Sequence, residues 1–131
     1  MYQLPTLKYQ PHELGFLSEM TVNTHYGKHH QNYLNKLNEI IDGTDYATWP
    51  IEQLIAKVHQ LPETIRQGVI NNGGGYFNHN IYWETITPRT DLRPTGELLE
   101  AIEQKYGSLE QLASEFKTNA IQVFGSGWLW L

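Results

Sequence analysis

The sequence predicts a mainly α-helical protein, in which a long antiparallel helical hairpin is followed by two helices and the first strand of a truncated α/β domain. Three observations support this prediction. Apolar residues recur at helical spacing through two long segments before residue 87. A loop with two prolines and a glycine, TPRTDLRPTG, separates these segments from the rest of the chain. The last residues, GSGWLWL, form a short apolar and aromatic run that is typical of a buried strand.

The first predicted domain, residues 1–92, contains two long helices. Ser18 can cap the first of them, and Gly43 ends it. A shorter helix leads toward Leu61, and Pro62 suits the first turn of the second long helix. Each long helix carries one stripe of apolar and aromatic positions: Val22, Tyr26, Tyr33, Leu37 and Ile40 on the first, and Ile65, Val69, Tyr76, His79 and Trp83 on the second.

The second predicted domain, residues 93–131, begins with two helices. The segment ELLEAIEQKY is a helix that Gly107 ends, and Ser108 with Gln111 makes a capping box for the next helix. That helix is expected to bury Leu112, Phe116, Ala120 and Val123. Because a single strand at GSGWLWL would leave an unpaired apolar edge, we expect that the sequence is interrupted here and that the rest of the domain is absent.

The composition excludes several classes of function. Nine basic and fourteen acidic side chains give a net charge of −5 without a Lys/Arg cluster, so a nucleic-acid partner is not expected. The absence of cysteine removes thiolate metal sites and cysteine nucleophiles, and leaves histidine and carboxylate as metal ligands. No apolar run is long enough for a membrane span and no signal peptide is indicated, so we expect a cytoplasmic protein without a membrane partner.

Histidines are concentrated in the segment HYGKHHQNY of the first long helix, which holds three of the six in the chain. At α-helical spacing His25 and His29 share a face with Tyr33, whereas His30 lies about 100° further round, so the three histidines are not expected to serve one site. Two alternatives remain at this point. The histidines can be partly buried polar residues with backbone or water partners, or the pair spaced by four can bind zinc.

The segment NNGGGYFNHNIYW of the second long helix carries three consecutive glycines and one histidine. Helical side chains lean toward the N-terminus, so Gly75 would leave space beside the imidazole of His79, which indicates a ligand pocket; the alternative is a loop that cuts the helix short. An antiparallel hairpin would bring His25 to His79, with an aromatic wall of Tyr33, Trp83 and either Phe77 or Tyr82. Mixed histidine and carboxylate ligation suits manganese or iron, so two imidazoles leave the site incomplete.

Three segments, HYGKHHQNY, NNGGGYFNHNIYW and FGSGWLWL, in this order and spacing resemble the iron/manganese superoxide dismutase family over essentially the whole chain. The resemblance implies that His25 and His79 are two of the metal ligands. It implies that His29 and Tyr33 gate the substrate funnel and join the proton-supplying network, and that His30 is a structural residue near an interface. The hydrophobic shell around the metal would include Tyr82, Trp83, Phe124 and Trp128.

The resemblance also implies an activity, the conversion of two superoxide ions and two protons into oxygen and hydrogen peroxide by redox cycling of one manganese or iron ion. Gly75 stands where iron enzymes of the family commonly carry a glutamine, so manganese is preferred. The family's remaining ligands, an aspartate and a third histidine in a D-x-W-E-H-A-Y type segment, are not in this sequence. We therefore expect the chain to be incomplete by itself and to act as a homodimer or with a C-terminal half. The alternatives are a non-catalytic metal-binding or helical interaction module, a dimer that shares one metal, and a chain without metal.

Overall fold

Helices are the only regular secondary structure in this computed structural model, which describes residues 1–131. The mainly α fold predicted from the sequence is thereby confirmed. The chain forms two units, residues 1–88 and residues 89–131. The boundary predicted at residue 92 stays a prediction. No helix is both long enough and apolar enough to cross a membrane.

The first long helix, α1, covers residues 19–41 in three segments that follow each other without a break. An α-helical segment Glu19–Thr24 is followed by a π-helical segment His25–His30 and a second α-helical segment Gln31–Ile41. Ser18 caps the helix, because its Oγ accepts a hydrogen bond from the backbone N–H of Thr21 at 3.1 Å. The π segment is the feature that helical periodicity did not predict.

The second long helix, α3, covers residues 63–85 and follows the short helix α2, Ile51–Ala56. It consists of Glu63–Gly68, a π-helical segment Val69–Gly73 and Gly74–Thr85. The helix therefore continues through the three glycines, and a loop at that point is excluded. Single 3₁₀ turns lie at Pro11–Leu14, Asp45–Thr48 and Val58–Gln60.

Helices α1 and α3 pack antiparallel. Gly68 lies against Ile40, and Gly75 lies against Tyr33. Residue numbers along α1 therefore decrease in the direction in which those along α3 increase. The main core between them and α2 is formed by buried apolar side chains: Leu34, Leu37, Ile41, Ile51, Leu54, Leu61, Val69 and Tyr76. The predicted hairpin is present, and its packing brings the two histidine-bearing segments together.

An extended N-terminal strap, residues 1–7, lies along this hairpin. The backbone N–H of Tyr2 donates to Oδ1 of Asn38 at 2.9 Å, and Nδ2 of Asn38 donates back to the carbonyl of Tyr2 at 3.0 Å. Two tyrosine hydroxyls, one from each long helix, donate to strap carbonyls: Tyr26 to Pro5 at 2.8 Å, and Tyr76 to Gln3 at 2.7 Å. The strap therefore ties both long helices to the N-terminus.

The second unit contains helices α4, Gly96–Tyr106, and α5, Leu109–Gln122. Gly107 ends α4 with a φ of +86°, and Ser108 caps α5 through its Oγ. Of the face predicted to be buried on α5, Leu112 is buried, Phe116 is partly buried, and Ala120 and Val123 are exposed.

The strand predicted at GSGWLWL is not formed. Residues 125–131 have irregular backbone in this structure. A strand exists only when its backbone N–H and C=O groups pair with a second extended segment, and residues 125–131 form no such pairing. The apolar and aromatic composition of this segment was therefore not sufficient to produce a strand.

Candidate metal centre

His25 and His79 face each other across the hairpin. His25 is the first residue of the π segment of α1, and His79 lies in the last segment of α3, Gly74–Thr85. Their Nε2 atoms are 2.9 Å apart, and the two rings meet nearly edge to face, with planes at 77°. The antiparallel packing thus brings the imidazoles of His25 and His79 together, as the sequence predicted.

A hydrogen bond fixes the tautomer of His79. Its Nδ1 lies 2.7 Å from the carbonyl oxygen of Gly75, one helical turn earlier. Because a carbonyl oxygen can only accept, Nδ1 carries the hydrogen and Nε2 keeps its lone pair. Ligating histidines commonly use such a bond from the second ring nitrogen to orient the first. The lone pair of His79 therefore faces His25.

Burial keeps these imidazoles neutral. It lowers the pKa of His25 to about 4, with smaller contributions from His79 and His29. Burial also lowers the pKa of His79, although the hydrogen bond to Gly75 opposes this effect. At neutral pH both rings are unprotonated at one nitrogen, and this is the form of histidine that binds metals.

Aromatic side chains surround the pair. The rings of Tyr82 and Trp83 each lie 5.2 Å from the ring of His25, and the ring of Tyr33 lies 5.4 Å from that of His79. Trp83 is buried in a small cluster with Leu14 and Val22, whereas Tyr33 and Tyr82 are partly buried. The wall predicted from the sequence is thus assembled from Tyr33, Tyr82 and Trp83, and Phe77 packs instead against the main core.

The space predicted beside Gly75 is filled by Tyr33. A Cβ atom added at Gly75 would lie 2.5 Å from Cδ1 of Tyr33, which is far inside normal contact. Glycine is therefore required here by the close approach of a ring from α1. The expectation of an open ligand pocket next to His79 is corrected to a tight helix crossing, in which Tyr33 is held against the backbone of α3.

His30 occupies a position that α-helical spacing did not predict. It is completely buried, and its ring stacks on that of His79 at 5.1 Å with the planes only 20° apart. His29, in contrast, is exposed, and its ring lies 6.2 Å from that of His25. The only sequence signal for the burial of His30 is the glycine in HYGKHH. It interrupts the helical pattern and lies within the π segment.

The other two predicted pocket residues belong to the second unit. Phe124 is fully exposed there, and Trp128 is partly buried. Their place in a shell around the metal stays a prediction, as do the roles assigned to the residues of the hairpin.

The donor set fits two ligands of one metal ion. Transition metals bind imidazole nitrogen at about 2.0–2.1 Å, so two nitrogens bound at right angles are about 3 Å apart. The 2.9 Å between the Nε2 atoms of His25 and His79 matches this value. The same distance also suits a hydrogen bond from Nε2–H of His25 to His79. No group of three or more histidine, aspartate or glutamate side chains that could hold an ion is formed, so the donors are incomplete.

Comparison with known proteins gives matches over almost the whole chain. A family model described as iron/manganese superoxide dismutases, alpha-hairpin domain, matches residues 1–87, and one described as the C-terminal domain of the same family matches residues 94–131. The superoxide dismutases [Mn] of Pseudomonas putida and Pseudomonas aeruginosa are each 40% identical over 135 residues. The superoxide dismutase [Mn/Fe] of Methylomonas sp. (strain J) has the same identity over the same length.

These alignments cover 99% of this chain but only part of each relative. The covered share is 64% for the two Pseudomonas proteins and 65% for the Methylomonas protein. The chain thus spans just under two thirds of the length of the curated relatives that it matches.

Proposed function

Since this chain belongs to the iron/manganese superoxide dismutase family, we propose that it is a superoxide dismutase polypeptide in which His25 and His79 are two ligands of one manganese or iron ion. The observation that carries the proposal is the convergence of the two Nε2 atoms at 2.9 Å, with the tautomer of His79 set by Gly75. When bound, the ion supplies the one-electron steps that turn one superoxide into oxygen and a second into hydrogen peroxide.

The aromatic residues and His29 around the pair control the access of water and substrate and the delivery of protons. Trp83 and Tyr82 exclude water from one side of His25, and Tyr33 packs beside His79. The ring of Tyr33 lies 5.4 Å from that of His79, and the ring of the exposed His29 lies 6.2 Å from that of His25. We assign to His29 and Tyr33 the delivery of protons and the control of substrate entry, as the family resemblance implies.

Completion of the site needs donors from outside these 131 residues. Two imidazoles without a carboxylate form a poor site for manganese or iron, which favour mixed nitrogen and oxygen ligation. The further ligands come either from additional polypeptide or from a second copy of this chain. Manganese is the preferred ion, because Gly75 stands where iron enzymes of the family commonly carry a glutamine, as the family resemblance implies. The cytoplasmic location stays a prediction.

The test is metal binding by the purified chain at a known oligomeric mass. Manganese and iron content is measured after dialysis for the unmodified chain, for His25→Ala and His79→Ala, and for the control His59→Ala, which removes an exposed histidine outside the site. Each site substitution is expected to abolish the bound metal, and the control to retain it. Where the unmodified chain holds metal, unchanged metal content in both site variants contradicts the proposal. Superoxide dismutation by a strictly monomeric chain contradicts the need for outside donors.

A second candidate is a metal-free helical interaction module. It is favoured by the exposure of large apolar side chains in the second unit: Ile121, Phe124, Trp130 and Leu131. It also agrees with a hydrogen bond, rather than a shared ion, between His25 and His79. In that case the double variant His25→Ala, His79→Ala would bind its protein partner as the unmodified chain does. Neither the double variant nor the unmodified chain would hold manganese or iron.

A further inference from the structure

The ring of His30 is completely buried among other side chains. Neither of its ring nitrogens makes a hydrogen bond, although Asn80 and the backbone of Tyr76 are its polar neighbours. The ring of Tyr76 lies 5.3 Å away, and the ring of Tyr26 lies 6.1 Å away at a steep angle. Both tyrosines are anchored through their hydroxyls to the N-terminal strap. His30 therefore contacts two fixed rings, and its own ring cannot reorient without displacing them.

The same imidazole lies flat against His79. The ring planes differ by 20° and the centroids are 5.1 Å apart, so this is an offset stack. The hydrogen bond from Nδ1 of His79 to Gly75 and the contact of its Nε2 with Nε2 of His25 hold two nitrogens of this ring. The stack with His30 supports one face of the same ring. The plane of His79, and with it the direction of Nε2, is set by the bond and the stack together.

The π segment brings His30 to this position. In an α-helix each residue advances by 100°, so five residues would place His30 about 140° round from His25 and off the hairpin face. In a π turn the hydrogen bond closes one residue later, so each residue advances by roughly 80° and five residues leave only about 40° between the two. The segment His25–His30 is π-helical, and both histidines reach His79.

We propose that His30 is a positioning residue for metal binding: seated by the π turn, its ring holds the ring of His79 so that Nε2 of His79 faces Nε2 of His25. This inference rests on the proposed role of His79 as a ligand. Its consequence is that the flat ring at position 30 matters more than the ring nitrogens. A planar hydrocarbon side chain should replace His30 better than a branched one of similar volume.

The first measurement uses the unmodified 131-residue chain without metal. Proton NMR is expected to show cross-relaxation between the ring protons of His30 and His79, and nitrogen NMR is expected to show a single tautomer of His79 with hydrogen on Nδ1. The absence of contact between the two rings overturns the proposal. This measurement requires neither a folded variant nor a bound metal. Its result therefore does not depend on whether the proposed function is correct.

The second measurement compares His30→Leu with His30→Phe, using cobalt(II) as the probe. The leucine variant is expected to lose about tenfold in cobalt(II) affinity, as is usual when a group that orients a ligating histidine is removed, and its His79 is expected to show a mixture of tautomers. The phenylalanine variant is expected to keep the single tautomer and most of the affinity. A folded leucine variant with unchanged affinity and an unchanged His79 spectrum overturns the proposal. If the unmodified chain itself does not bind cobalt(II), its two imidazoles need the outside donors to hold an ion, and the NMR measurement still decides whether His30 orients His79.

Discussion

Gly75 shows how one residue limits the packing of the two long helices. A methyl group at this position would collide with Tyr33, since the added Cβ would lie 2.5 Å from its ring. The neighbouring Gly74 has no atom within 4 Å of its added Cβ. The two glycines are adjacent in the same helix, so each loses the same backbone entropy on folding. They differ in that only Gly75 has the ring of Tyr33 against it.

The variants Gly75→Ala and Gly74→Ala are therefore expected to change stability in opposite directions. Overpacking in a close-packed interior costs about 1–3 kcal/mol, so Gly75→Ala lowers the free energy of unfolding. Alanine in place of glycine in a helix without a clash gains up to about 1 kcal/mol, so Gly74→Ala raises it. Urea unfolding of both variants measures the difference. Equal stabilities would show that Tyr33 moves aside without cost.

The candidate site could be predicted from the sequence only in part. The spacing of His79 and Gly75 on one helix, and of His25 on the other, was sufficient to predict that the imidazoles converge. The burial of His30 was not predictable, because the π turn that rotates it toward His79 depends on the tertiary packing of the hairpin rather than on local propensity. For the same reason the occupant of the space beside Gly75 was not identified.

At the scale of the element, each long helix contains one π segment at the helix crossing. His25–His30 and Val69–Gly73 both interrupt helices that otherwise follow α-helical spacing. A π turn widens the helix by one residue, so it changes which side chains share a face on its two sides. The first segment contains Gly27, whose added Cβ would contact nothing within 4 Å. Gly27 is thus a position where the length of the turn and the identity of the residue can be tested separately.

Deletion of Gly27 is expected to convert the first π segment into α-helix. Five steps of roughly 80° and four steps of 100° both turn the chain through about 400°, so the part of α1 that carries His25 keeps its orientation relative to the part that carries Tyr33. The deletion variant is expected to stay helical and to keep metal binding and the NMR signature of the histidine pair. The matched variant Gly27→Ala keeps the chain length and should retain both, with a gain of up to about 1 kcal/mol in stability. A folded deletion variant in which His25 no longer contacts His79 would contradict the interpretation of the π turn as one residue inserted into an α-helix.

The predicted strand shows the opposite limit of sequence analysis. Helices close their hydrogen bonds within one segment, so periodicity and capping residues such as Ser18 and Ser108 were sufficient to locate them. A strand needs a partner segment, and composition alone does not supply one. GSGWLWL therefore remained irregular although its residues are typical of strands.

At the scale of the whole molecule, the first unit is closed by contacts far apart in the sequence. The strap residue Tyr2 and Asn38 of α1 are 36 residues apart and exchange two hydrogen bonds. Tyr26 and Tyr76, which flank His30, are anchored to the same strap. Neither connection was predicted, because the opening segment has no periodic pattern. The strap thus links the N-terminus to the packing around the candidate site.

Substitution of Asn38 tests whether this closure stabilises the unit. Asn38→Ala leaves the backbone N–H and carbonyl of Tyr2 without their partner in a partly buried position, and an unpaired group of this kind costs about 1–3 kcal/mol. Asn35→Ala is the matched control on the same helix, because Asn35 is exposed and accepts only from the side chain of Gln31. Urea unfolding is expected to show a loss of this size for Asn38→Ala and little change for Asn35→Ala, and amide exchange at Tyr2 should accelerate in the former alone. Equal stability of the two variants would mean that the strap is held by the tyrosine hydroxyls and its apolar contacts, and that the asparagine pairing adds nothing to the closure.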